Sequence, residues 1–268
     1  MNELTLDELK RIEFDILKHF DAFCKEHNIR YFLAFGTLLG AIRYQKFIPW
    51  DDDIDVLVPR EDYCKLLTLF QDNDRYRLYA FEKNKRFHYP FAKLCDMTTL
   101  KEQTIYKNKG VRLGVEIDVF PLDHWDSNID KAKLELARIK KYQKWLKISK
   151  LDTPLTSNLF KKIVWSVIIP FVKLIGGGYF VKKIIKESNK ENQKSSFYAG
   201  AKVWAIYGER GIIPSKVFDE AIDIEFEGQM FPAPKDYDTY LTCLYGDYLP
   251  EPPKEKQKTH HYFKAYRI

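Results

Sequence analysis

The sequence predicts a mixed α/β (α+β) fold, with a sheet flanked by helices in its first half and a mainly helical, basic second half. Three observations predict it. Apolar runs of strand length, Tyr31–Phe35, Ile54–Val58 and Val111–Phe120, are closed by Gly36, Pro59 and Pro121, with helical spacing between them. Residues 131–194 then hold 16 Lys/Arg against four Asp/Glu, a local +12 in a chain whose net charge is +6, so the remainder carries −6. Finally, 268 residues at 45% hydrophobic and 31% charged suffice for a full core in one or two domains.

The elements follow in order. Thr5 and Glu8 form a capping box, and Leu6, Leu9, Ile12, Ile16, Phe20 and Phe23 continue at helical spacing, predicting a helix to about Lys25. A buried strand over 31–35 ends at Gly36, and a short helix follows from Thr37 to Tyr44. Ile54–Val58 is a second buried strand, stopped by Pro59. Helical spacing returns from Arg60 to Phe70 through Tyr63, Leu66 and Leu67. Residues 76–81 and 89–95 are further strands, and Val111–Phe120 is a strong one whose alternation puts Glu116 and Asp118 on one face.

Residues 129–150 read as a Lys-rich helix. Leu159–Ile175 is densely apolar, flanked by Lys161, Lys162 and Lys173 and interrupted by Pro170. Gly176-Gly177-Gly178 is a flexible joint before a basic helix to Glu187. Residues 195–211 are irregular, 226–234 extended or a hairpin, 236–244 a short helix, and a proline-rich tail begins at Tyr245. The expected units are 1–125, 126–195 and 196–268.

Several classes are excluded. Cys24, Cys64, Cys95 and Cys243 contain no C-x-x-C pair and read as reduced, mostly core thiols rather than a disulfide frame or zinc site. The acidic, polar start is not a secretory signal, and no apolar run reaches the ~18 residues of a spanning helix. A cytoplasmic protein is expected.

The chemistry concentrates in Asp51-Asp52-Asp53-Ile54-Asp55, four carboxylates at the mouth of a buried strand. That much negative charge requires a cation. Residues two apart in a strand share a face, so Asp53 and Asp55 converge on one ion while Ile54 and Val56 turn to the core. Hard oxygen ligands suit Mg²⁺ or Mn²⁺ holding substrate phosphates. A solvated acidic loop is the plain alternative, but this one abuts an apolar strand and follows Pro49-Trp50. An EF-hand calcium loop fails, because its sixth position needs glycine where Val56 stands and its twelfth glutamate where Asp62 stands.

Gly36 and Thr37 offer backbone N–H groups at a helix start, the usual cradle for a phosphate, and Arg43 is placed to add positive charge. A third carboxylate is expected from Glu116 or Asp118, of which Asp118 is preferred as metal ligand, proton acceptor or both.

These segments resemble the LicD family: Gly36-Thr37-Leu38-Leu39-Gly40-Ala41-Ile42-Arg43, Ile48-Pro49-Trp50-Asp51-Asp52-Asp53-Ile54-Asp55-Val56, Glu116-Ile117-Asp118-Val119-Phe120-Pro121-Leu122-Asp123, and the ending Tyr245-Gly246-Asp247-Tyr248-Leu249 with His260-His261. The resemblance implies a nucleotidyltransferase-like fold and transfer of phosphocholine from CDP-choline to sugars of teichoic acid or lipopolysaccharide, with CMP released. It matches Asp53 and Asp55 to paired metal-binding aspartates, Gly36-Thr37 to the phosphate-holding turn and Asp118 to the third acidic residue, with Asp51 in support. The zinc-binding cysteine cluster of fukutin-related proteins has no counterpart.

Other positions carry two readings each. Lys93 holds a phosphate or snorkels at the surface. Trp50 stacks on a base, walls off the metal, or simply packs. Tyr207, Tyr248 and neighbouring aromatics are candidates for caging a quaternary ammonium. The basic half is a solvated lysine face or a surface resting on anionic lipid, where a lipid-linked glycan acceptor would be met. Nucleic acid is not expected as a partner, since no motif for it accompanies the charge.

Overall fold

The computed structural model describes residues 2–105, 110–191, 196–259 and 263–268. The first half runs β1 (Asn2–Glu3), α1 (Leu6–Glu26), β2 (Phe32–Leu33), α2 (Phe35–Tyr44), β3 (Asp55–Pro59), α3 (Arg60–Leu69), β4 (Tyr76–Tyr79), β5 (Ala92–Gln103) and β6 (Leu113–His124). The second runs α4 (Ile129–Ser149), α5 (Leu159–Ile175), α6 (Gly177–Ser188), β7 (Tyr198–Gly200), β8 (Ile213–Pro214), β9 (Ala221–Phe226), β10 (Gln229–Pro234), α7 (Tyr237–Tyr245) and β11 (Phe263–Arg267). The main sheet is mixed, in the order β1-β11-β5-β6-β3-β2, with β4 on the free half of β5 and β7-β8 continuing from the end of β6. Among the described residues, β3 and β6 form the one parallel pair.

The apolar faces predicted for α1 and β3 form the centre of the core. Thr5 and Glu8 cap α1 reciprocally, and Leu9, Ile12, Ile16, Leu17 and Phe20 turn inward. Ile54, Val56 and Val58 are wholly buried in the same cluster. The central strand is longer than its sequence suggested. β6 continues through Pro121 to His124, because Pro121 lies in the parallel pair with Val58 and its missing N–H leaves the strand intact. The predicted strand over 31–35 shrinks to two residues, since Phe35 turns to a positive φ of 46° and starts α2.

The chain after α7 is not merely a proline-rich tail. It returns as β11, whose Tyr266 pairs with both Leu100 of β5 and Glu3 of β1. His260 and His261 lie outside the described residues.

In the basic half, α4 packs on α6, and Lys202 joins it to the sheet by donating to Glu135 Oε2 at 2.9 Å and to the His124 carbonyl at 3.0 Å. Helix α5 continues through Pro170, which faces solvent, where water can satisfy the carbonyl a helical N–H would have bonded. The joint lies at Gly176 alone, with φ 86°, and α6 leaves it at 69° to α5. Gly177 answers a different need, since a Cβ there would stand 2.8 Å from His88 Nδ1.

Candidate active site

Register across three strands builds the centre of the site. Asp55 on β3 stands opposite Asp118 on β6, and Asp118 stands opposite Lys93 on β5. The three side chains therefore form one row across the sheet. Lys93 Nζ donates to Asp118 Oδ1 at 2.5 Å and to Glu116 Oε1 at 3.0 Å, and Lys101 Nζ donates to the same Glu116 oxygen at 2.8 Å. Lys93 is buried, so the surface reading is wrong for it: a desolvated ammonium stays because two carboxylates surround it.

Each titration follows from those neighbours. Burial would lower Lys93, but Asp118 and Glu116 outweigh it and hold the ammonium well above its ordinary value. Glu116 is pushed up by burial yet ends below its ordinary value because Lys101 and Lys93 prevail. Asp118 is raised by burial, with Lys93 opposing and Glu116 reinforcing. Asp55 is raised furthest, by burial and then by the charges of Asp53, Asp118 and Asp51. One end of the row is thus matched by lysines and the other is crowded with like charge.

The glycine turn meets the acidic end. Thr37 Oγ1 accepts from the Asp55 N–H at 2.8 Å, tying the start of α2 to the start of β3. At the first turn of α2, Gly36 and Thr37 carry N–H groups with no intrahelical acceptor. Gly36 is required here by close approach: a Cβ would stand 2.5 Å from Asp51 Oδ2. The strained residue is Phe35, one position earlier. It is fixed by Tyr240 OH accepting from its N–H at 3.3 Å and by stacking on Tyr207, with ring centroids 5.3 Å apart.

The acidic loop is braced from two sides. Lys10 of α1 donates to the carbonyls of Ile48 (3.0 Å) and Pro49 (2.9 Å), while Glu227 in the β9–β10 turn accepts from the Phe47 N–H at 3.1 Å. Gly40 lets the loop fold back onto α2, since a Cβ would meet the Lys46 carbonyl at 2.6 Å.

Two cavities flank the row. The first, about 710 Å³, is lined by Gly36, Arg43, Trp50, Asp51, Asp53, Asp55 and Asp118, together with Tyr207, Tyr245, Tyr248, Asp247 and Glu251. The second, about 450 Å³, lies on the Lys93 side and includes Tyr89, Lys93, Lys101, Lys147 and Lys150. The structure therefore brings Gly36, Arg43, Trp50, Asp51, Asp53, Asp55 and Asp118 together around the first cavity, with Lys93 behind Asp118. Thr37 is buried beneath, bonded to Asp55.

Arg43 has a second task, because its guanidinium donates to the carbonyls of Tyr248 and Pro250 and holds the C-terminal segment over the cavity. Sequence reasoning missed Phe35, Tyr245, Lys101 and Lys150. Tyr245 was reachable from its neighbours, and its hydroxyl lies 2.7 Å from that of Tyr207. Lys101 depends on strand register, while Phe35 and Lys150 depend on how α2 and the end of α4 pack against the sheet, which no local pattern reveals.

The donor set suits a hard divalent ion. Its oxygens are carboxylates, and the burial and mutual repulsion that push Asp55 up are what a bound cation would relieve. Among the described residues no three acidic, His or Cys side chains are drawn into a ready cage. Mg²⁺ does not need one, since it is commonly bound by one or two carboxylates together with water and substrate phosphates.

A mixed sheet with carboxylates on adjacent parallel strands, facing the N-terminus of a glycine-containing helix, defines a nucleotidyltransferase-like fold. The chain belongs to the LicD/FKTN/FKRP nucleotidyltransferase family, whose domain model matches residues 28–167, and it is thereby an enzyme class that transfers phosphorus-containing groups. It is 30% identical to the lipopolysaccharide cholinephosphotransferase LicD of Haemophilus influenzae, over 99% of both chains. It is also 29% identical to an uncharacterized protein of Rickettsia typhi, over 48% of this chain and 38% of that one. An uncharacterized Rickettsia prowazekii protein is 25% identical over 56% and 63%.

Proposed function

We propose that the protein transfers phosphocholine from CDP-choline to a sugar hydroxyl of a cell-surface glycan precursor, of teichoic acid or lipopolysaccharide type, releasing CMP. The observation that carries this reading is the first cavity itself. It brings Asp53, Asp55, Asp118 and the phosphate-cradling turn into one space with Trp50, Tyr207, Tyr245 and Tyr248 and with Asp247 and Glu251. Aromatic faces with nearby carboxylates are what a quaternary ammonium selects. The near full-length similarity to a cholinephosphotransferase supports the same donor.

In this reading the pyrophosphate lies against the N–H groups of Gly36 and Thr37, with Arg43 adding positive charge. Bound Mg²⁺ or Mn²⁺, held by Asp53 and Asp55 with Asp118 as third ligand, would supply charge neutralisation at the phosphoryl oxygens. The acceptor hydroxyl oxygen forms a bond to the phosphorus bearing choline, and the bond from that phosphorus to the oxygen of CMP breaks. Asp118, made more basic by burial, takes the hydroxyl proton. Lys93 keeps its own proton and steadies Asp118 from behind.

We assign donor binding to 1–125 with closure of the site by 196–268, and acceptor and membrane contact to 126–195. Supporting the last assignment, α5 exposes Leu159, Phe160, Ile163, Val167, Phe171 and Leu174, the last to 84%, beside Lys161, Lys162 and Lys173. No single helix among the described residues is long and apolar enough to cross a membrane. An apolar stripe flanked by lysines suits a peripheral position on anionic lipid at the cytoplasmic face.

The test is product analysis with purified protein, Mg²⁺ and CDP-choline, with and without a lipid-linked glycan. CMP formation that requires the acceptor is expected, and Asp53→Ala or Asp55→Ala lowers it by about 10²–10³-fold or more. Near-normal turnover by either variant removes the metal assignment. A preference for CDP-glycerol or CDP-ribitol replaces the transferred group. Release of pyrophosphate from a nucleoside triphosphate replaces the reaction by nucleotidyl transfer.

A further inference from the structure

The second cavity is not absorbed by the donor chemistry. It meets the first along Asp53, Asp118, Trp204 and Ile206, so Asp118 faces both. Its charges fall into two groups. Lys93 and Lys101 are already matched by Asp118 and Glu116. Lys147 and Lys150, from the end of α4, form no ion pair among the described residues and rest on aromatic faces instead. Lys150 Nζ lies 3.5 Å from the centroid of Tyr89, and Lys147 Nζ 5.7 Å from that of Trp204. The Tyr89 ring is held by its hydroxyl, which accepts from Gln103 Nε2 at 2.6 Å.

We propose that this second cavity is an anion subsite for the acceptor, in which Lys147 and Lys150 take a phosphate of the acceptor while its hydroxyl reaches Asp118. The inference rests on the reading above, in which the donor occupies the first cavity. Two ammonium groups on rigid aromatic supports beside a reacting carboxylate are short of counter-charge, and a phosphate dianion supplies it. Lys150 is pushed down to about 7, by burial and then by the charges of Lys93 and Lys147, as expected for an ammonium in need of an anion. A cation at the end of α4 also suits the helix dipole, but that alone asks for one exposed lysine. Instead a groove of about 580 Å³, sharing Gln143, Lys147 and Ile206 with the second cavity, continues the basic path past Lys140 and Lys144 to Trp165 of α5. An acceptor with phosphate near its reacting sugar fits that path.

The test reads binding and turnover separately, on the full chain. The rate of acylation of Lys150 is followed by peptide mass spectrometry with glucose 6-phosphate, glucose or CDP-choline as probe. Glucose 6-phosphate is expected to slow Lys150 acylation by about fivefold or more, with no effect from glucose, and Asp53→Asn keeps that protection. In turnover, Lys147→Gln with Lys150→Gln raises the acceptor KM by about tenfold or more while the CDP-choline KM holds. Absence of protection by glucose 6-phosphate overturns the subsite, as does equal protection by CDP-choline alone, which would place the donor there. Protection by glucose 6-phosphate without any transfer from CDP-choline supports the anion site and overturns the donor assignment instead.

Discussion

At the scale of single residues, the carboxylates divide by what surrounds them. Asp123, the last acidic residue of the Glu116–Asp123 motif, is fully buried and bidentate with Arg60, at 2.7 and 2.6 Å, so it serves structure. Asp118, five positions earlier, faces both cavities and is the residue proposed to take the acceptor's proton. Strand alternation made Asp118 legible as a candidate, but it could not show that Lys93 stands opposite. That required the pairing of β5 with β6, set by tertiary packing. Glu13 escaped notice altogether, because a single charge on the apolar face of α1 gives no signal. It is wholly buried, both carboxyl oxygens lack a hydrogen-bond partner among the described residues, and burial pushes its pKa well above 4.5 against the pull of Lys101, with Asp53 and Glu116 adding to the rise. The native state therefore keeps a proton there that the unfolded chain loses, and stability falls as pH rises from about 4.5 toward the folded pKa. Glu13→Gln removes that penalty. Its melting temperature is expected to match wild type near pH 4.5 and to exceed it increasingly toward pH 8. A difference independent of pH would mean that Glu13 is ionised and paired.

At the scale of elements, α1, the 45–54 loop and the β9–β10 hairpin act together. Amphipathic spacing and the capping box revealed α1, and Gly36 revealed the tight turn into α2. What joins them was hidden, because Lys10 and Glu227 are ordinary surface-type residues whose partners are backbone groups far along the chain. Their contacts hold the loop that carries Trp50, Asp51 and Asp53, so they bear on the geometry of the first cavity. Lys10→Met keeps much of the apolar stem and removes both bonds to the Ile48 and Pro49 carbonyls. The expected loss is about 1–3 kcal/mol of loop stabilisation. Turnover should fall by about tenfold while the melting temperature changes little, since α1 keeps its buried face. A melting temperature that collapses with activity would show that the contact supports the whole fold.

At the scale of the molecule, the active row and α5 belong to one arrangement. From the first cavity the path crosses Asp118, enters the lysine-lined second cavity, follows α4 and ends beside Trp165 of α5. Composition foretold the basic half, and the density of apolar residues foretold an apolar segment at 159–175. Neither could say that α5 turns its apolar residues outward, because a helix apolar on most sides reads equally as core. In the fold only Ile169 and Val172 of α5 are buried. Exposed Phe160 and Val167 then make membrane contact measurable without disturbing the core. Phe160→Glu with Val167→Glu removes two apolar anchors, each worth about 1.5–3 kcal/mol if fully buried in lipid. Placing negative charge there also opposes the lysines, which contribute about 1 kcal/mol each near an anionic surface. Co-sedimentation with phosphatidylglycerol vesicles should drop by about tenfold or more and transfer to a lipid-linked acceptor should fall with it, while transfer to a soluble acceptor stays unchanged. Partitioning that survives the double substitution, or a loss of activity on both acceptors, would remove α5 from the membrane.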